Sequence, residues 1–441
     1  MGLVFNMVGG GGSIRLSSIS IVTQPSKTSY NHGESFSASG MVVRATYSNG
    51  ATKTVTNYTY SPSGALKFTD AEVTVTYTEG GISKTASQAI SVGAPVTITH
   101  SRNFANSAGT LKGVAKYNNY YLLVGNDASY NVKGEIVSSR GTAEAWQINS
   151  TGTYPVHGMV VRGSIVDMAV TDKYGGSLYK NRYKIGMTAE NFLAKSTSFS
   201  YFATDGVRLN CAANGSNSYA YFGGKNASGQ TYISYSANTA AVNSASWQTF
   251  GSHGEVIDIS CCADSDGTAR MSLLTDTGHI LIKTLGASGA TTAVKTESVG
   301  TGATKAGMIP VSGSDLYRCA YTEVYNGGYT LRSIYGGGGH NRSSVFAGSD
   351  CTILGIGAVG NYAVVVFADA SGNGKIYVNE DGTSGAVYSL GTLAPTVMCS
   401  ISDGIAVVCA TSTSNAYAIK EIHLQRGGGN LPGRPTNIAK R

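Results

Sequence analysis

Few residues in this chain are spaced as chemistry requires, and each such set competes with a plainer use. Asp369, Ser371, Asn373 and Glu380 occupy the first, third, fifth and twelfth places of a twelve-residue run, the oxygen spacing of a calcium loop. The flanking residues are β-formers rather than helix-formers, so a β-hairpin turn using Asn373-Gly374 for positive φ is the favoured reading, with calcium the weaker one. Asp264-Ser-Asp266-Gly267 repeats that turn chemistry elsewhere. The run Gly355 to Gly360 satisfies G-x-G-x-x-G, but a dinucleotide site needs a helix N-terminus after it. Asn361 to Phe367 reads as a strand, so no pyrophosphate cradle is expected.

Acid–base or nucleophilic catalysis needs a partnered set of side chains. The seven His are scattered, with neither H-E-x-x-H nor G-x-S-x-G, and the 25 Asp and Glu are sparse for 441 residues. Asp167 and Asp258, each between apolar residues in a strand-like run, are the best candidates for inward carboxylates. A structural role, capping the backbone of a neighbouring repeat, is favoured for both. No catalytic set is therefore assigned, and the chain is expected not to be an enzyme. The 27 Tyr outnumber 11 Phe and 2 Trp. A ring with a polar handle suits stacking on sugars or at protein interfaces. The clusters make Tyr120, Tyr121, Tyr232, Tyr235, Tyr325, Tyr329 and Tyr335 candidate ligand-binding aromatics, although most Tyr of a β protein simply pack strand edges.

The elements that must carry these residues are strands. Charged residues are 13% of the chain, about half the usual share, and Gly reaches 58 of 441. That composition excludes coiled coils and helix bundles, and the aromatic content argues against disorder. A net charge of +7 with no basic run points to no nucleic acid. No stretch of eighteen apolar residues suggests membrane insertion, and the first residues lack the basic start of a secretory signal. Seven Cys without a C-x-x-C pair, most in apolar runs, read as buried reduced thiols.

Between 14 and 93 the period is two. Val73, Val75 and Tyr77 alternate with Thr74, Thr76 and Thr78, and Met41, Val43, Ala45 and Tyr47 alternate before the turn Ser48-Asn49-Gly50. Another turn, Glu79-Gly80-Gly81, leads into Ile82 to Val92. About seven short strands predict a two-sheet β-sandwich. The strings Ile21 to Tyr30, Gly33 to Phe36, Gly40 to Gly50 and Val73 to Gly81 resemble the bacterial immunoglobulin-like domains of bacterial surface proteins and tailed-phage virion proteins. The resemblance covers under a fifth of the chain and implies a spacer or adhesion module with no catalytic residue.

From 94 to 425 a longer repeat takes over. Aligning Val114, Val166, Leu209, Ile257, Met308, Leu354 and Met398 as first strands gives steps of 52, 43, 48, 51, 46 and 44 residues. Most are followed by a second strand, such as Tyr121 to Val124 or Ala363 to Phe367, and several by a third. A 40–50-residue period of three or four strands predicts propeller blades, seven of them, the second least regular, and the lack of Pro-rich linkers favours this over a stack of sandwiches. Pro95 to Thr99 would add an outer strand to the last blade and close the ring.

Residues 1–13 pair an apolar tip, Leu3, Val4, Phe5, Met7 and Val8, with a glycine tether, and read equally as an anchor arm or as a disordered terminus. Residues 426–441 read as a flexible basic tail. Phe5 to Gly11 resembles the starts of phage tail and head-fibre proteins. The all-β whole, an Ig-like sandwich followed by a seven-bladed propeller, thus resembles a virion head or tail decoration or fibre protein. That resemblance implies assembly in a host cytoplasm. It also implies anchoring by the arm to capsid, portal, neck or tail proteins, and display of the propeller to a host-surface glycan or protein. A bacterial cell-surface glycan-binding adhesin is the alternative, and a glycan-degrading enzyme a weaker one.

Overall fold

The structure is a computed structural model. It describes residues 13–105, 110–117, 120–127, 129, 132–138, 143–146, 156–162, 165–171, 178–184, 208–214, 217–226, 228–237, 246–263, 268–310, 317–401, 403–410 and 416–425. All regular structure among them is β, and no helix is long and apolar enough to cross a membrane. The chain divides into two compact units, the second running from Val96 to Leu424.

The first unit holds eight strands: β1 (Leu16–Thr23), β2 (Ser29–Tyr30), β3 (Val42–Tyr47), β4 (Thr52–Val55), β5 (Thr59–Ser61), β6 (Glu72–Glu79), β7 (Ile82–Ala89) and β8 (Ser91–Val92). They form two three-stranded antiparallel sheets, β1-β3-β4 and β5-β6-β7, with a short parallel pair β2-β8. The alternation decides which face is inside. Val73, Val75 and Tyr77 are buried with Val43, Ala45, Leu16 and Leu66, while Thr78 is exposed. The tight turn between β6 and β7 needs positive φ twice, and Gly80 (58°) and Gly81 (77°) supply it without a Cβ penalty. The expected single strand from Ile82 to Val92 is interrupted. Ile90 turns into the core, and its amide donates to the Ala71 carbonyl instead of continuing the ladder.

The second unit opens with β9 (Val96–Ala105). Seven antiparallel meanders then follow in chain order. The first is β10 (Thr110–Tyr117), β11 (Tyr120–Asn126), β12 (Val132–Ser138) and β13 (Ala143–Trp146). The second is β14 (Val156–Arg162), β15 (Ile165–Thr171) and β16 (Leu178–Lys184). The third is β17 (Arg208–Asn214), β18 (Asn217–Lys225), β19 (Thr231–Ala237) and β20 (Ser246–Thr249), and the fourth β21 (Val256–Ala263), β22 (Ala269–Thr275), β23 (His279–Leu285) and β24 (Thr291–Ser298). The fifth is β25 (Lys305–Pro310), β26 (Tyr317–Tyr325), β27 (Gly328–Tyr335) and β28 (His340–Arg342), with β29 (Ala347–Gly348) also paired to β27. The sixth is β30 (Thr352–Val359), β31 (Tyr362–Ala368), β32 (Gly374–Asn379) and β33 (Gly385–Gly391). The seventh is β34 (Ala394–Ile401), β35 (Gly404–Ala410) and β36 (Ala416–Leu424), and β9 pairs with β36 as its fourth strand.

The first strand of each sheet lies against the first strand of the next, and β34 lies against β10, so these sheets close a propeller-like ring. Closure by β9 leaves the last sheet no weaker at its outer edge than the others. The middle strands β22 and β31 are buried along almost their whole length, as sheets covered on both faces by their neighbours require. The inner strands approach closely where side chains are small. A Cβ on Gly307 would stand 2.7 Å from Ile356 Cγ2 and 3.0 Å from the Ile356 carbonyl oxygen.

One repeat was misaligned by its sequence. The first strand of the second sheet is β14, and the Ile165–Thr171 run taken for it is the middle strand. Both runs are apolar, β15 with five such residues of seven against four in β14, so local pattern favours the wrong one. Asp167 therefore sits in a middle strand, paired with Val160 and Arg182, and is not an inner-strand carboxylate.

Candidate functional site

Inner strands β21, β25, β30 and β34 line an open pocket of about 630 Å³. Its wall combines Met308, Ile356, Met398 and Cys399 with the carboxylates of Asp258 and Asp403. Asp258 is engaged in structure. Its Oδ2 accepts from the Ala306 amide at 2.9 Å and Oδ1 from the Ile259 amide at 3.1 Å, and Ser260 Oγ accepts from the Met308 amide at 2.9 Å. Residues 306 and 308 pair with Tyr321 and Cys319 on one side of β25, and their N–H groups point to the other. Side chains of β21 thus supply the acceptors that a further strand would otherwise provide. This is the capping role that the sequence favours for Asp258.

At the β34–β35 turn Asp403 begins a charged chain. His423 Nδ1 lies 3.0 Å from Asp403 Oδ1, its Nε2 2.8 Å from Glu421 Oε2, and Lys116 Nζ 2.7 Å from Glu421 Oε1. Lys116 is on β10 and the others on or beside β35 and β36, so the chain ties the last sheet to the first. Burial pushes the Glu421 carboxyl up, but hydrogen bonds from Lys116 and His423 and their charges outweigh it and hold it below its ordinary value. The two neighbours of His423 are carboxylates, and catalysis would need a nucleophile or substrate atom there.

The Asp369 loop is a turn. Asp369 Oδ1 accepts from the amides of Ser371 (3.0 Å) and Asn373 (2.9 Å) and from Asn373 Nδ2 (3.1 Å), and Lys375 Nζ is 3.6 Å from Oδ2. These bonds, led by that of the Asn373 amide, hold the carboxyl below its usual range. Glu380 stands beyond the far end of β32 from Asn373, so the four residues do not converge. The positive φ falls on Gly372 (80°), whereas Gly374 begins β32. Among the described residues no three His, Cys, Asp or Glu side chains come together as a metal site. Asp264 to Gly267 lie outside the described residues.

Gly355 and Gly357 sit within β30, and Gly360 makes the turn into β31. Strand follows strand, as expected, and the glycines serve packing: a Cβ on Gly357 would stand 2.6 Å from Ile405 Cγ2.

The tyrosines separate by exposure. Tyr121, Tyr232 and Tyr235, three of the candidate aromatics, are buried. They sit on central strands covered by neighbouring sheets, and a cluster in sequence does not reveal that. Tyr329 is half-buried, and Tyr335 is half-buried with its hydroxyl donating to the Asp381 carbonyl at 2.6 Å. Tyr120 and Tyr325 are exposed, at 44% and 43%. Leu3, Val4, Phe5, Met7 and Val8 lie outside the described residues.

Two features escape the sequence reading. Trp247 is 65% exposed on β20, stacked on Tyr232 with centroids 6.3 Å apart. Its setting, a Trp between Ser246 and Gln248, is a signal that the abundance of Tyr obscures. Arg318 is fully buried. Its guanidinium donates to Ser333 Oγ (2.9 Å) on the fifth sheet and to Asn379 Oδ1 (2.6 Å) and the Glu380 carbonyl (2.5 Å) on the sixth. Its sign in the sequence is a lone Arg in the apolar run Leu316 to Ala320.

Cys319, Cys351 and Cys409 carry free thiols. Burial pushes the thiol of Cys319 up to about 12 and that of Cys409 up to about 11.

Residues 23–92 match the family model of the bacterial Ig-like domain (group 3). No curated protein matches the chain. Among solved structures, a chain in the crystal structure of the mitotic checkpoint complex is 12% identical, covers 74% of this chain and 96% of its own, and has a TM-score of 0.50. BBS1N in complex with ARL6DN is 12% identical over 76% of this chain and 99% of its own (TM-score 0.48). BamB from Moraxella catarrhalis is 12% identical over 96% of this chain and 100% of its own (TM-score 0.46). At such identity the likeness to the checkpoint chain is one of fold alone.

Proposed function

We propose that this chain is a structural component of a tailed-phage virion, a decoration or fibre protein of head or tail. In this reading residues 1–13 anchor it to other virion proteins, and a seven-bladed β-propeller is displayed for attachment to the host surface. An Ig-like sandwich followed by a propeller-like ring fits a surface-binding or structural protein. The observation that carries the reading is that pairing: an Ig-like sandwich followed by a ring of sheets in which the inner-strand carboxylate Asp258 caps the backbone of the next sheet. Exposed aromatic side chains on the ring, Tyr120, Trp247 and Tyr325, favour attachment over a purely structural role.

Mass spectrometry and labelled-antibody electron microscopy of purified particles from the source test the virion assignment. A discrete location on the particle is expected, and absence from the particle would return the chain to the cell-surface adhesin reading. Deleting residues 1–13 is expected to abolish incorporation while leaving a folded product.

A further inference from the structure

One face of the fifth sheet gathers two guanidinium groups around an exposed ring. The backbone registers Arg332 of β27 directly opposite Arg342 of β28, and Tyr321, Glu323 and Tyr325 of β26 share that face. The Arg342 guanidinium lies 3.8 Å from the centre of the Tyr325 ring. Its Nε donates to Glu323 Oε1 at 2.8 Å, which fixes its plane, and Arg332 Nη1 lies 3.9 Å from the same oxygen.

Like charges directly opposite on a sheet repel, and here a single carboxylate serves two cations. Buried polar atoms on this face also lack partners among the described residues: Arg332 Nε, and the hydroxyl of Thr330, which is 1% exposed and opposite Glu323. Arg342 keeps about a third of its side chain exposed, and Tyr325 at the hairpin tip is 43% exposed. A planar guanidinium binds a carboxylate through two parallel hydrogen bonds. The free face of a tyrosine ring receives the C–H face of a sugar.

The geometry points to a site for an acidic pyranose, with its carboxylate on Arg342 and Arg332 and its ring on Tyr325. This assignment rests on the reading of the ring as an attachment surface and names a ligand class for it. Sialic-acid and uronic-acid sugars share that chemistry, so two probes separate them.

The test is titration of the full chain with 3′-sialyllactose, with trigalacturonate and with neutral lactose, followed by calorimetry. One acidic sugar is expected to bind at least about tenfold tighter than lactose and to weaken with added salt. Arg342→Gln and Tyr325→Ala should each lose about tenfold in affinity, while Glu323→Gln, which removes the competing carboxylate, should tighten binding. Because that last variant moves affinity upward, a damaged fold cannot imitate the pattern. Equal binding of lactose, no binding of either acidic sugar, or unchanged affinity in Arg342→Gln would overturn the assignment. Labelled full chain on host cells keeps the two readings apart. Cell binding without acidic-sugar binding removes this site and leaves attachment standing, and loss of both removes attachment as well.

Discussion

Arg318 gives the sharpest test of how the ring is held together. Alanine there would remove a fully buried cation whose donors reach Ser333, Asn379 and the Glu380 carbonyl across two sheets. The intact arrangement adds little net stability, since removing a guanidinium from water costs several kcal/mol and burial already lowers the Arg318 pKa. Truncation is different. It strands buried acceptors without water and opens a large cavity, and the expected loss is about 3–5 kcal/mol. Methionine fills the volume but strands the same acceptors, so about 2–3 kcal/mol should still be lost. Lysine keeps the charge but cannot place donors in a fork, and should fall between methionine and the parent. Both tryptophans, Trp146 and Trp247, lie in the unit from Val96 to Leu424. Urea unfolding of the full chain followed by tryptophan fluorescence therefore reports that unit, as a lower midpoint at unchanged slope. A methionine variant within about 0.5 kcal/mol of the parent would refute the reasoning, because Arg318 would then be filling space rather than satisfying acceptors.

Asp258→Ala should cost about 1–2 kcal/mol in the same assay by baring the Ala306 amide, with Asp258→Asn costing less because an acceptor remains. Gly307→Ala should cost about 1–3 kcal/mol, since the new methyl meets the β30 backbone, which cannot yield as a flexible side chain would. The Glu421 carboxyl has its folded pKa below the ordinary 4.5, so the stability it contributes is present above about pH 4.5 and is lost as pH falls through the lower folded value. Acid unfolding curves of Glu421→Gln should be flatter across that window than those of the parent. Cys319 and Cys409, with thiols pushed up to about 12 and about 11, should resist a disulfide-exchange reagent at neutral pH until urea unfolds the ring, as thiol counting with mass mapping would show.

Strand identity, the two-part organisation and the repeat were legible in the sequence because they rest on local pattern. Alternation of Val73, Val75 and Tyr77 with threonines fixes a face whatever lies opposite, and a recurring apolar run separated by turns betrays a repeated meander. The adjacency of Pro95 to Thr99 to the last repeat, realised in β9 against β36, followed from the need to pair an edge. Rank within a sheet did not follow, since β15 is no less apolar than β14 and only contact with the neighbouring sheets makes β14 the inner one. The positive φ of the Asp369 turn fell on Gly372 because the Asp369 side chain, closing on two amides, chose the turn geometry.

Exposure was decided by tertiary structure alone. Tyr232 and Tyr325 read alike in a one-dimensional list, but one lies under its neighbours and the other at a hairpin tip. The ion chain from Lys116 to Asp403 joins residues about 300 positions apart, and the Arg318 contacts join two successive repeats. Composition and period pointed to a β-sandwich followed by a repeat of β-sheets, and the Ig-like character of the sandwich came from resemblance. Which side chains meet on and between the sheets, and so where a ligand could be held, was set only by the tertiary structure, because such contacts depend on sheet spacing and register that no local pattern encodes.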